Sequence, residues 1–248
     1  MITIKSAQQI DKMREACRIT KGALDVIAEN IRPGISTAQL DKLAHDYILS
    51  QGAKPNFLHY NGYPASICAS VNDQVVHGIP HKNIILREGD IVGVDLGAVK
   101  DGFHGDAART FAVGEISAEA EKLIKVTRES FFEGVKYLKH GAKLGDVSYA
   151  IQSYVEKHGY SVVRDLVGHG IGQSLHEDPQ VPNFGRAGRG VKLSAGMTLA
   201  IEPMVNAGAY DVEVLDDDWT VVTADGSLSA HYENTVLITK DGYEILTR

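Results

Sequence analysis

At 248 residues with 44% hydrophobic content, the chain is long enough to bury a substantial core, in one large domain or two small ones. Its net charge of −7, its pI of about 5.8 and the lack of any basic tract argue against a nucleic-acid-binding surface. Cys17 and Cys68 are too few for a disulfide framework and fit a reducing compartment. No stretch nears the roughly 18 apolar residues of a membrane span, and Met1 to Ile10 holds no apolar signal core, so a soluble cytoplasmic protein is expected.

Ser6 is placed to cap a first helix running to about Asn30, with Ile10, Met13, Cys17, Leu24 and Ile27 on one side. Pro33-Gly34 breaks it. Ser36 with Gln39 forms a capping-box pattern that opens a second helix ending near Gly52. Strand-like runs follow: ASICASV, DIVGVDLGAV and FHGDAARTFAV. The last two are separated by Lys100-Asp101-Gly102, a hairpin turn. Helix, glycine break, helix and strands then recur in the second half. Gly34 aligns with Gly141, Tyr47 with Tyr154, Gly52 with Gly159, Leu86 with Leu193, Gly89 with Gly196 and Asp95 with Glu202, every pair offset by 107 positions. With a different gap, His104-Gly-Asp106 resembles His231-Tyr-Glu233. Copies this long are not solenoid units. They predict two α/β halves, approximately 1–115 and 116–248, of one α+β domain with helices packed on antiparallel sheet.

Four acidic residues are out of place in this pattern. Asp95 ends an apolar strand run and Glu202 follows another, although carboxylates are poor strand formers and are rarely buried unpaired. A two-residue turn at Lys100-Asp101 or Asp101-Gly102 puts Asp95 and Asp106 on the same face, directly opposite or one diagonal step apart. Like charges so close call for a cation between them. The repeat makes Glu202 the mate of Asp95 and Glu233 the mate of Asp106, so four carboxylates converge where the halves meet. Two divalent cations balance that charge, whereas one leaves a costly buried excess. His169, between the glycines of GHGIG, adds an imidazole, which among hard oxygens suits Mn, Fe, Co or Zn better than Ca or Mg. His77 in HGIP and His176 in HEDP form a second related pair, without matched acidic neighbours, and read as substrate contacts.

In this order, DLGA with HGD, GHGIG with HEDP, IEPM and HYENT resemble the methionine aminopeptidases, over almost the whole chain. The resemblance implies the pita-bread fold, two pseudo-symmetric halves around a dinuclear metal site. It implies that Asp95 chelates one metal, Asp106 and Glu233 bridge both, and His169 and Glu202 complete the other. It implies a metal-activated bridging water that attacks the carbonyl of an N-terminal methionine. Glu202 is then the proton shuttle, His176 the hydrogen-bond partner of the substrate carbonyl, and His77 the contact to the scissile nitrogen. The methionine pocket maps to Phe57, Tyr60, Tyr63, Cys68, His77, Leu175 and Trp219, walls that suit a polarizable thioether. Asn72 and Ser229 map to a monovalent-cation site.

Three departures and two rivals accompany the resemblance. Many members carry Cys at the position of Phe57 and an aromatic at that of Leu175. Related bacterial enzymes hold lysines after MVNAG, thought to aid transient ribosome docking, but here the segment AYDVEVLDDDWTVVTADGS is acidic and opposes contact with RNA. The length matches the short bacterial type I form, and a monomer acting on nascent chains with a small second residue is expected. An Xaa-Pro peptidase shares the fold and ligands but usually carries an extra N-terminal domain. A binding protein that has lost catalysis would have lost ligands, and all five are kept.

Overall fold

A computed structural model describes residues 1–248. The first helix, α1, runs Ala7–Asn30 and the second, α2, Thr37–Ser50. Both begin with the capping boxes expected from sequence: Ser6 and Ser36 accept from the amides of Gln9 and Gln39, whose side chains return to the cap amides. Glycine closes α2, Gly52 taking a positive φ of 64°. In the second half α3 spans Ala118–Val135 and α4 Leu144–Lys157, again separated by a positive-φ glycine, Gly141.

The hairpin is made by the strands Ile91–Lys100 and Phe103–Ala112. Its turn is Asp101-Gly102, with φ of 50° and 76°, the left-handed pair that a two-residue turn requires. Lys100 therefore faces Phe103, Asp95 faces Ala108 and Asp106 faces Gly97. Asp95 and Asp106 thus lie one diagonal step apart on one face, the second of the two arrangements open from sequence. Gly105, beside Asp106, lets α1 come close: a Cβ there would sit 2.8 Å from the Cys17 backbone.

All the paired strands run antiparallel. In the first half, α1 and α2 cover the hairpin sheet through Ile19, Ile27, Leu40 and Ile48, each fully buried. Burying such a side chain contributes about 1.5–3 kcal/mol. In the second half, α3 and α4 cover the strands Thr198–Ile201 and Asn234–Ile238 through Phe131, Val135, Val147 and Ile151. A third apolar cluster joins Met13 and Cys17 of α1 to Phe57, Phe103, Leu175 and Leu237, so it draws on both halves. The seam itself is polar. Glu233 donates its amide to the Ala108 carbonyl at 2.9 Å, and the Arg109 guanidinium reaches the Glu233 carbonyl and the Asn234 side chain. No helix is long and apolar enough to cross a membrane.

Candidate metal centre

The hairpin delivers Asp95 and Asp106 to the seam, and the second half delivers Glu202 at the end of Thr198–Ile201 and Glu233 at the start of Asn234–Ile238. Ile201 pairs with Asn234, so the two glutamates adjoin the same end of one ladder. His169 occupies the centre of the short strand Gly168–Gly170. Its glycine neighbours are sterically required. A Cβ on Gly168 would lie 2.4 Å from the Ala200 carbonyl oxygen, and one on Gly170 2.2 Å from that of Asp178.

Asp106, His169 and Glu233 bring one donor atom each within 4.8 Å of one another. Asp95 and Glu202 lie outside that tight trio but line the same cavity, of about 220 Å³. His169 Nδ1 is bonded to the Gly170 carbonyl at 2.8 Å, which places the proton on Nδ1 and frees the Nε2 lone pair. Nε2 stands 3.8 Å from Asp106 Oδ2 and 3.7 Å from Glu202 Oε1, too far for a direct hydrogen bond. One cation could touch both.

The electrostatics point the same way. Burial raises Asp95 to about 7 and pushes Asp106, Glu202 and Glu233 well above the usual carboxylate range. Mutual repulsion adds to the rise in the last three. Burial also lowers His169 to about 3, so its imidazole is neutral. Asp95 Oδ1 and Asp106 Oδ1 are buried without a hydrogen-bond partner. Orphaned carboxylate oxygens next to a free imidazole lone pair are the donor set of a divalent transition ion. The residues therefore fit a divalent metal ion.

The rest of the cavity wall is apolar and aromatic. Phe57, Tyr60, Tyr63, Cys68, Leu175 and Trp219 line it together with His77 and His176. Tyr63 directs its hydroxyl at the carbonyls of Ile67 and Gly78 and meets Trp219 edge-on at 5.0 Å. His77 has a positive φ of 60° and also faces Trp219 edge-on, at 6.3 Å. The His176 ring lies 4.2 Å from the His169 ring. The thirteen residues proposed from sequence as metal ligands, catalytic groups or methionine pocket thus border one cavity, and Asn61 is the one further residue there.

Several contributors escaped sequence reasoning. His231 is buried with Nε2 unpartnered, 3.8 Å from Glu202 Oε2; its place in HYE was the available signal. Asn183 donates to the Glu202 carbonyl at 3.0 Å. Lys5, buried, holds Glu177 at 2.7 Å and so fixes the residue after His176. Away from the cavity, the Asn72 carbonyl accepts from the Ser229 amide at 2.9 Å. The acidic segment forms the hairpin Val212–Val214 with Val221–Thr223. Two of its acids build turns: Asp217 accepts from the amides of Trp219 and Thr220, and Asp225 from those of Ala209 and Ser227.

Fold and donor set together define a metal-dependent hydrolase of the pita-bread architecture. The chain belongs to metallopeptidase family M24, whose model matches residues 11–240, and within it groups with the bacterial methionine aminopeptidases. A methionine aminopeptidase of Clostridium acetobutylicum is 58% identical over 247 residues, covering 100% of this chain and 99% of that one. The crystal structure of methionine aminopeptidase from Thermotoga maritima superposes with a TM-score of 0.99 at 49% identity, covering 100% of both chains. Prolidase from Pyrococcus furiosus, at 23% identity and a TM-score of 0.78 over 99% of this chain and 65% of its own, shares the fold alone.

Proposed function

We propose that the chain removes the initiator methionine from nascent polypeptides whose second residue is small, using the cavity at the seam. The observation that carries this is the sharing of one cavity: the carboxylate–histidine cluster and a thioether-compatible wall of Tyr63, Cys68 and Trp219 line it together, with Cys68 paired across the sheet to Asp95. A methionine side chain seated against that wall holds its own amino terminus and carbonyl beside the acidic cluster. Exopeptidase action follows from that geometry.

Asp95, Asp106, His169, Glu202 and Glu233 would hold two divalent cations drawn from Mn, Fe, Co or Zn. When bound, these supply Lewis acidity and an acidified water. Glu202, raised by burial, is suited to take a proton and pass it to the leaving amine. His176 donates to the substrate carbonyl oxygen, whose negative charge grows during the reaction. His77, on the Trp219 side, contacts the scissile nitrogen. Phe57, Tyr60 and Leu175 complete the methionine wall. We further propose a monovalent cation at Asn72 and Ser229, which are hydrogen-bonded to each other through their backbones. Residues 1–248 act as one catalytic unit and as a monomer. Ribosome contact, where it occurs, avoids RNA at the acidic hairpin 212–223.

The test compares Met-Ala-Ser with an Xaa-Pro peptide on metal-loaded protein. Faster cleavage of Met-Ala-Ser is expected. Faster Xaa-Pro cleavage would overturn the assignment, and failure of Mn, Co and Fe to support any cleavage would favour a non-catalytic role.

A further inference from the structure

The Tyr60 hydroxyl lies 2.7 Å from His176 Nδ1, and the His176 ring makes no other hydrogen bond. The two residues come from opposite halves of the chain, 116 positions apart. Both are firmly mounted. Tyr60 sits in a tight turn in which Tyr60 donates its amide to Phe57, Gly62 to His59, Tyr63 to Tyr60 and His59 to Tyr63. His59 and Asn61 take positive φ of 68° and 49° to close it. On the other side, Glu177 is held by Lys5 at 2.7 Å, by Thr3 at 2.5 Å and by the Ser174 amide at 3.2 Å.

The direction of the bond matters. A neutral imidazole donates from one nitrogen and accepts at the other. Burial keeps the Tyr60 phenol protonated well beyond neutrality. The hydroxyl has no other acceptor within hydrogen-bond distance; donation to Nδ1 uses its proton and leaves the imidazole proton on Nε2. We propose that Tyr60 is a positioning residue that fixes the His176 ring and its tautomer, so that Nε2–H, not a bare lone pair, meets the substrate carbonyl oxygen. This rests on the aminopeptidase reading above and extends it. Tyr60 then has a second task besides lining the methionine pocket: its ring is a wall and its oxygen is an orienting group.

The two tasks separate in Tyr60→Phe, which keeps the ring and removes the oxygen. With zinc-loaded enzyme and Met-Ala-Ser, kcat falls about tenfold, as for loss of one orienting hydrogen bond, while KM stays within about twofold. Long-range proton–nitrogen NMR on the same zinc-loaded protein, without substrate, shows His176 protonated on Nε2 in the wild type and a tautomer mixture in Tyr60→Phe. An unchanged kcat, a rise in KM alone, or a wild-type His176 protonated on Nδ1 would overturn the proposal. A wild type that leaves Met-Ala-Ser uncut sinks the aminopeptidase reading instead, and the NMR arm still decides the role of Tyr60.

Discussion

The Thr235 hydroxyl exchanges two hydrogen bonds with the backbone of Asp106, accepting from its amide at 3.0 Å and donating to its carbonyl at 2.9 Å. One short side chain from the second half thereby fixes an acidic residue of the first. The Thr235 amide is itself tied to Thr247 at 3.2 Å, and the Thr247 hydroxyl donates to Asn234 at 3.0 Å. With Arg109 also on Asn234, the seam is closed by polar bonds around the candidate metal ligands.

Thr235→Val keeps the shape and leaves both buried Asp106 backbone groups unpaired. The expected cost is about 1–3 kcal/mol of stability, read by denaturant unfolding. The affinity for divalent metal should fall by roughly 10- to 100-fold, as for loss of an outer-shell support. Wild-type values in both measurements would contradict the role assigned to the seam.

The carboxylate cluster predicts an inverted pH dependence for the metal-free chain. Asp95, Asp106, Glu202 and Glu233 all have folded pKa values raised above their unfolded values near 4. Such groups contribute fully below the unfolded value, and the contribution is lost as pH rises through the folded one, about 7 for Asp95. His169 and His231, both lowered to about 3, act with the opposite sign, but only below the ordinary histidine range. Asp95 has lost most of its contribution by about pH 7. Between pH 7 and pH 8.5 the decline therefore comes from Asp106, Glu202 and Glu233, raised well above the carboxylate range. The buried thiols of Cys17 and Cys68, also raised by burial, add to it near the top of the interval. Thermal melts of chelator-treated protein should move down across that interval, and added Mn or Co should restore more stability at pH 8.5 than at pH 7. A metal-free melting temperature that climbs from pH 7 to 8.5 would contradict the burial of uncompensated carboxylates.

His176→Ala removes the donor aimed at the substrate carbonyl. A fall in kcat of roughly 10²-fold on Met-Ala-Ser is expected, with the metal content unchanged. Near-wild-type turnover would rule the donor out.

Trp219→Ala opens the wall shared with Tyr63 and His77. The preference for methionine over a smaller first residue should shrink by roughly 10- to 100-fold in kcat/KM, the scale set by hydrophobic pocket contacts. An unchanged preference would show that the thioether binds elsewhere.

Much of this architecture is legible in the sequence because it is local or repeated. Ser6 and Ser36 announce their helices through neighbours three residues away. The Asp101-Gly102 turn fixes the side on which Asp95 and Asp106 emerge. Acidic residues ending apolar strand runs stand out because strands seldom tolerate them. The contributions of Thr235, Lys5, Arg109 and Asn183 were not legible. Each acts through a side-chain contact, and for the first three the partner lies more than 100 positions away. Threonine in a strand or lysine near a terminus is ordinary by composition, so no local pattern marks it. The register of the hairpin was left with two choices for a related reason: turn chemistry allows both, and packing of α1 onto Gly105 comes from tertiary structure.

The most direct test of the central claim joins metal analysis with substrate choice on one preparation. Protein stripped and reloaded with Mn, Fe, Co or Zn should bind two ions per chain and cleave Met-Ala-Ser faster than an Xaa-Pro peptide. Asp106→Asn and Glu233→Gln should each lose both metal and activity. Full cleavage of Met-Ala-Ser by the stripped protein, or metal binding untouched by both substitutions, would contradict the account.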